Sequence, residues 1–219
     1  RINVKLKSGQ ETEINAPGPK VTHAQFEQLL SQIRRTTNDD IVIVAGSVPK
    51  SIPSDAYAQI AQITEKTGAQ LVVDAEKDLV ETVLPYRPLF IKPNKDELEV
   101  MFNTTVKSDE DVIKYGKEIL KKGAQSVIIS LGGDGAIYVD QHQSIKAVNP
   151  QGHVVNTVGS GDSTVAGMVA GVSMGLNIDE AFQQAVASGT ATAFSEDLAT
   201  RDAIENIKSQ VTISVLDGE

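Results

Sequence analysis

A three-layer α/β/α sandwich on a mainly parallel sheet is the fold that this sequence predicts. Three observations carry the expectation. Ile41–Ala45 is a short, continuous apolar run, the pattern of a strand buried on both faces of a parallel sheet. Further strand-like runs alternate with segments of helical apolar spacing, which is how layered α/β sheets are built. No composition break, Pro/Ser-rich linker or internal repeat divides the 219 residues, enough for one well-packed domain. The expected unit is a single domain over residues 1–219.

Taken in order, Arg1–Leu6 and Gln10–Ile14 alternate polar and apolar residues around Ser8-Gly9, predicting a β-hairpin. Pro17-Gly18-Pro19 breaks the chain. Thr22 can then cap a helix with Phe26, Leu29, Leu30 and Ile33 on one face. After the strand Ile41–Ala45 come a helix near Ser54–Thr67, the strand Gln70–Asp74, a helix near Lys77–Leu84 and the strand Leu89–Lys92. Helices near Lys95–Phe102 and Ser108–Lys122 lead to the strand Ser126–Ser130. Gly132-Gly133-Asp134-Gly135 turns the chain into Ala136–Asp140, and Ser144–Val148 returns antiparallel. Helices over Asp162–Met174, Ile178–Ser195 and Ala199–Gln210 precede a last strand near Val211–Val215. Ligands in such folds gather at the carboxyl ends of the strands.

Composition narrows the function. Hydrophobic content of 40% and charged content of 22% describe an ordinary soluble globular protein. A net charge of −9 argues against nucleic acid or an anionic membrane as the main partner. An anionic substrate then needs a local basic pocket. Cysteine is absent, which removes disulfides and thiolate ligands and fits a cytoplasmic protein. No apolar run approaches the length of a membrane span, and nothing resembles a signal peptide. There is no G-x-x-x-x-G-K-[ST] and no dinucleotide fingerprint around Gly159. His23, His142 and His153 lack metal-like spacing, and no hydrolase triad is visible.

The most informative run is Val155-Asn156-Thr157-Val158-Gly159-Ser160-Gly161-Asp162-Ser163, which leads into a helical stretch of small residues. Such a loop can lay backbone N–H groups against an anion at a helix N-terminus, where the macrodipole also favours negative charge. Asp162 conflicts with a pure anion site. The conflict resolves if its carboxylate faces a second reactant, a hydroxyl that must lose a proton. The alternative is a strand-to-helix turn with Asp162 as a helix cap.

Other candidates fall at strand ends. In Ala45-Gly46-Ser47-Val48-Pro49, Gly46 permits a tight turn that presents the Ser47 hydroxyl; a plain strand-to-loop turn would look the same. In Lys92-Pro93-Asn94-Lys95-Asp96-Glu97, Asn94 and Glu97 have the spacing of a capping box, and their oxygens also suit Mg²⁺. Glycines in Ser130-Leu131-Gly132-Gly133-Asp134-Gly135 allow close approach of a ligand, or simply a β-turn. Asp74, ending a strand, is either a solvated acid or a support for the metal and phosphate region.

These motifs closely resemble those of the PfkB (ribokinase-like) family of sugar kinases. Asn156–Val169 fits the family's C-terminal signature at every position. The resemblance implies Asp162 as catalytic base and the Gly159, Ser160 and Gly161 amides as anion hole. It implies ATP contacts at Lys92, Asn94, Ser130, Gly132, Gly135, Thr157 and Val158, with Ala185–Phe194 near the adenine. Asn94 and Glu97 match the Asn-x-x-Glu motif that organises Mg²⁺, and Ser47 and Arg1 match residues that touch the sugar phosphate. The implied reaction moves the ATP γ-phosphoryl group to fructose 1-phosphate, giving fructose 1,6-bisphosphate. Tagatose 6-phosphate is the alternative acceptor, since Ser160 stands where alanine is usual, and nucleotide binding without turnover is another alternative. The resemblance also implies an N-terminal sugar-binding segment ahead of Arg1, residues 1–15 as the remnant of a hairpin lid, and a homodimer paired through lid strands.

Overall fold

In this computed structural model, residues 3–8, 10–15 and 18–218 are described, with side chains from 18 to 216. Arg1 and Gly9, both used above, lie outside them. The first two strands, β1 (Asn3–Ser8) and β2 (Gln10–Asn15), pair antiparallel from Asn3↔Asn15 to Ser8↔Gln10, as the alternation predicts.

A seven-stranded sheet follows, with its strands side by side in chain order. β3 (Ile41–Ala45), β4 (Gln70–Asp74), β5 (Phe90–Ile91) and β6 (Ser126–Ser130) run parallel. β7 (Ala136–Val139), β8 (Gln143–Val148) and β9 (Thr212–Gly218) join antiparallel. The parallel order therefore holds for the first four strands, and the sheet as a whole is mixed.

Period-2 alternation separates two hydrophobic layers. Leu71, Val73, Val127 and Ile129 face one core, which they share with α1 (His23–Ile33), α2 (Ala56–Thr67), α3 (Lys77–Val83), α4 (Lys95–Phe102) and α5 (Asp109–Lys122). Val72, Phe90 and Ile128 face the other, with α6 (Ser160–Ser173), α7 (Ile178–Ala193) and α8 (Arg201–Lys208). Phe90 and Phe182 are fully buried there, each worth roughly 1.5–3 kcal/mol of hydrophobic stabilisation.

β3 departs from expectation. Among the described residues it is the edge of the sheet, and Ile43 is 46% exposed. An apolar run reports the side chains of a strand, not how many neighbours the strand has.

Helix ends follow the sequence closely. Thr22, Asn94 and Asn177 each form a reciprocal capping box, with Gln25, Glu97 and Glu180 respectively. α6 and α7 pack backbone to backbone. A Cβ at Gly167 would lie 2.9 Å from the Ala185 Cα, and one at Gly171 would lie 2.7 Å from the Ala181 Cα. A Cβ at Gly189 would collide with the Thr164 hydroxyl. The small residues of Ala185–Phe194 thus serve close helix contact along one face.

Candidate active site

The parallel strands place their carboxyl ends along one edge, and most of the predicted residues that the structure describes lie there. Asn94, Ser130, Gly132, Gly135, Thr157, Ser160 and Gly161 line one cavity of 390 Å³. Its far wall includes Val186, Thr190 and Phe194 of α7 and the residue after it. A larger cavity, of 480 Å³, opens at the opposite end of β6 beside Ser126 and Tyr138 and contains none of the predicted residues.

At the start of α6, Gly159 adopts the left-handed conformation with φ 81°, where a side chain would be strained. No side chain caps this helix. The Ser160 N–H donates to the Thr157 carbonyl at 3.2 Å, and its hydroxyl donates to the same oxygen at 2.9 Å. Among the described residues, the N–H groups of Gly159, Gly161 and Asp162 have no hydrogen-bond partner. Of the three predicted anion-hole amides, that of Ser160 is thus already engaged, and Asp162 contributes an open one. Val158 is half exposed, and its N–H donates to the Asn156 side chain at 3.2 Å.

Beneath this turn lies a buried charge pair. The Lys92 ammonium, 7% exposed, sits 3.3 Å from the Asp74 carboxylate. A Cβ on Gly161 would come within 3.3 Å of the same ammonium. Burial pushes the Asp74 carboxyl above its ordinary range, Lys92 pulls it back, and the charge of Asp162 raises it again. Asp74, Lys92 and Asp162 therefore form one electrostatic group. A buried lysine held by a single carboxylate is well placed to accept a second anion.

The Ser47 loop is anchored to the same group. The Gly46 N–H donates to the Asp74 carbonyl at 2.9 Å, and the Tyr57 hydroxyl donates to the Gly46 carbonyl at 2.7 Å. Burial, reinforced by Asp74, pushes the Tyr57 hydroxyl up to about 12.

Asn94 and Glu97 satisfy the structural alternative directly. The Asn94 N–H donates to Glu97 Oε2 and the Glu97 N–H donates to Asn94 Oδ1, both at 2.8 Å. Among the described residues, no cluster of three acidic or histidine side chains is arranged to hold a metal ion. One Glu97 carboxylate oxygen remains beyond the cap. That donor set fits Mg²⁺ held largely through water, the usual habit of this hard cation.

Glycine at Gly135 has a structural cause: a Cβ there would collide with the Ala147 carbonyl across the β7–β8 pair. Gly132 and Gly133 have open space where a side chain would be. Sequence reasoning missed Tyr57, Asn149 and Thr192. The Thr192 hydroxyl donates to Ser163 Oγ at 2.9 Å, tying α7 to the residue after Asp162. None of the three sits in a motif, and only the long-range contacts reveal them.

The sequence pattern of the pfkB family carbohydrate kinases matches residues 1–203. The chain belongs to this family. It is 42% identical over 216 residues to a 1-phosphofructokinase of Bacillus subtilis, covering 99% of this chain and 71% of the relative. It is 35% identical over 217 residues to a D-tagatose-1-phosphate kinase of Bacillus licheniformis, covering 99% and 71% respectively. A Staphylococcus aureus crystal structure, provisionally named a phosphofructokinase, is 82% identical and superposes with a TM-score of 0.91. That match covers 100% of this chain and 72% of the other. The pfkB chain is thus a phosphotransferase of the sugar-phosphate kinase type, with ATP the phosphoryl substrate its family implies.

Proposed function

We propose that this pfkB chain phosphorylates fructose 1-phosphate with ATP, giving fructose 1,6-bisphosphate and ADP. The observation that carries the reading is the uncapped start of α6, with Asp162 in its first turn and the Lys92 ammonium directly below. A site for phosphoryl transfer needs positioned donors for developing negative charge and an acceptor for the hydroxyl proton. Both stand within one helical turn.

In this reading Asp162 takes the proton of the sugar hydroxyl as its oxygen bonds to the γ-phosphorus. The bond from that phosphorus to the ADP oxygen breaks in the same displacement. The open N–H groups of Gly159, Gly161 and Asp162, with Lys92, meet the charge on the transferred group. Thr157, Val158, Ser130, Gly132 and Gly135 border the nucleotide, while Ser47 and Arg1 serve the sugar phosphate. Asn94 and Glu97 would hold Mg²⁺ through water, and the ion would neutralise the ATP phosphates.

The test is ADP release with MgATP and, in turn, fructose 1-phosphate, fructose 6-phosphate, tagatose 1-phosphate and tagatose 6-phosphate. Preference for fructose 1-phosphate is expected. Its rejection beside turnover of another sugar would overturn the assignment. Tagatose 1-phosphate is the second reading, favoured by the 35% identity to a kinase named for that substrate.

A further inference from the structure

We infer that Asn149 is a positioning residue of the nucleotide cavity: its amide fixes the spacing between two walls and does not read the base. The inference rests on the reading of that cavity as the nucleotide site. Asn149 directly follows β8 and lines the cavity. Its Nδ2 donates to the Gly132 carbonyl at 3.0 Å and to the Gly133 carbonyl at 3.4 Å. Its Oδ1 accepts from the Thr190 hydroxyl at 2.9 Å. The carbonyls belong to the turn between β6 and β7, and Thr190 belongs to α7. Asn149 therefore joins opposite sides of the cavity, and among the described residues no other hydrogen bonds link that turn to α7.

The turn depends on this tie for a steric reason. Its far end is locked, because Gly135 lies hard against the Ala147 carbonyl. At its near end a Cβ on Gly132 or Gly133 would meet no atom within 4 Å, so no side chain is wedged there. Backbone bonds within the turn set its shape, and the Asn149 amide is the side chain that ties its carbonyls to the rest of the cavity. A carboxamide has two N–H donors, and the Asn149 nitrogen is directed at two carbonyls of the turn. Donating to a base would draw that nitrogen away from the wall. The Thr190 contact is the weaker leg, since one hydroxyl proton is shared with the Val186 carbonyl at 2.8 Å.

Pre-ordered walls lower the cost of binding, and losing two such hydrogen bonds should weaken binding about tenfold. The experiment measures ADP affinity of the whole chain by titration calorimetry, and that of inosine diphosphate by competition with ADP. Asn149→Ala should weaken both about tenfold, leaving their ratio within about twofold. Asn149→Asp is nearly isosteric but sets a carboxylate against two carbonyls, so it should weaken both further. Thr190→Val, which removes one leg, should cost about threefold, and it supplies the measurement if Asn149→Ala fails to fold by thermal melting. Unchanged ADP affinity in the folded variants would overturn the inference. Weakening of ADP alone would make Asn149 a reader of the base and overturn it equally. Wild-type protein that binds no ADP would instead remove the nucleotide-site reading, and the role of Asn149 with it.

Discussion

α4 and α6 both begin at the carboxyl edge of the sheet, and they treat their first-turn N–H groups in opposite ways. α4 closes its N-terminus on itself, with Asn94 and Glu97 bonded reciprocally at 2.8 Å. α6 begins at a left-handed glycine with no side-chain cap and leaves the Gly161 and Asp162 amides open. Open N–H groups at a helix start are satisfied by water or by a bound ligand. The difference teaches that two helix starts both singled out in the sequence can offer different things. α6 offers donors, whereas α4 offers a rigid platform with one carboxylate oxygen to spare.

The largest expected effect breaks this contrast at α6. Asp162→Asn should lower turnover by about 10²–10⁴-fold, the usual worth of a positioned base, while leaving ADP binding and thermal stability near wild type. Full turnover by the folded variant would remove Asp162 as the base. Gly161→Ala comes next. Its new methyl would press on the Lys92 ammonium, only 3.3 Å away, and a shift of that charge should cost roughly tenfold or more in kcat/KM. A kinetically silent Gly161→Ala would show that Lys92 does not act through this turn.

At α4 the contrast can be sharpened by separating cap from charge. Glu97→Gln keeps a residue able to complete the capping box, so stability should hardly move while the Mg²⁺ concentration for half-maximal activity rises several-fold. Asn94→Ala removes the cap itself and should cost about 1 kcal/mol in a denaturant titration. Equal Mg²⁺ dependence in wild type and Glu97→Gln would reduce α4 to a purely structural element.

The smallest effect lies beneath the Ser47 loop. The folded state holds the Tyr57 proton up to about 12, above the ordinary value of 10.0. The unfolded chain therefore loses that proton first, and stability should fall as pH rises from 10 towards 12. Tyr57→Phe has no proton to lose and should flatten that limb of the profile. An unchanged alkaline limb in Tyr57→Phe would assign the loss to other groups.

Much of this arrangement was legible in the chain. Periodicity located the helices because most of them bury one stripe, and Thr22 and Asn94 announced their helix starts through local chemistry. The glycine run marked the open end of α6. What could not be read was anything decided across the fold. β3 read as a strand buried on both faces because its residues are apolar, yet its burial depends on its neighbours in the sheet. The Lys92–Asp74 pair joins the ends of two strands, and Asn149 joins a strand end to a helix. Such contacts leave no spacing for a sequence to show. Gly135 lines the cavity, and the Ala147 carbonyl alone is enough to require glycine there.

The glycine contacts between α6 and α7 carry a mechanical consequence. Where these glycines bring the two backbones together, the pair has little room to slide or roll, so Asp162 rides on a stiff two-helix block. Amide hydrogens of Val165–Val172 and Ala181–Ala191 should exchange among the slowest in the molecule. The bare turn at Gly159 is therefore held like the fixed jaw of a vice.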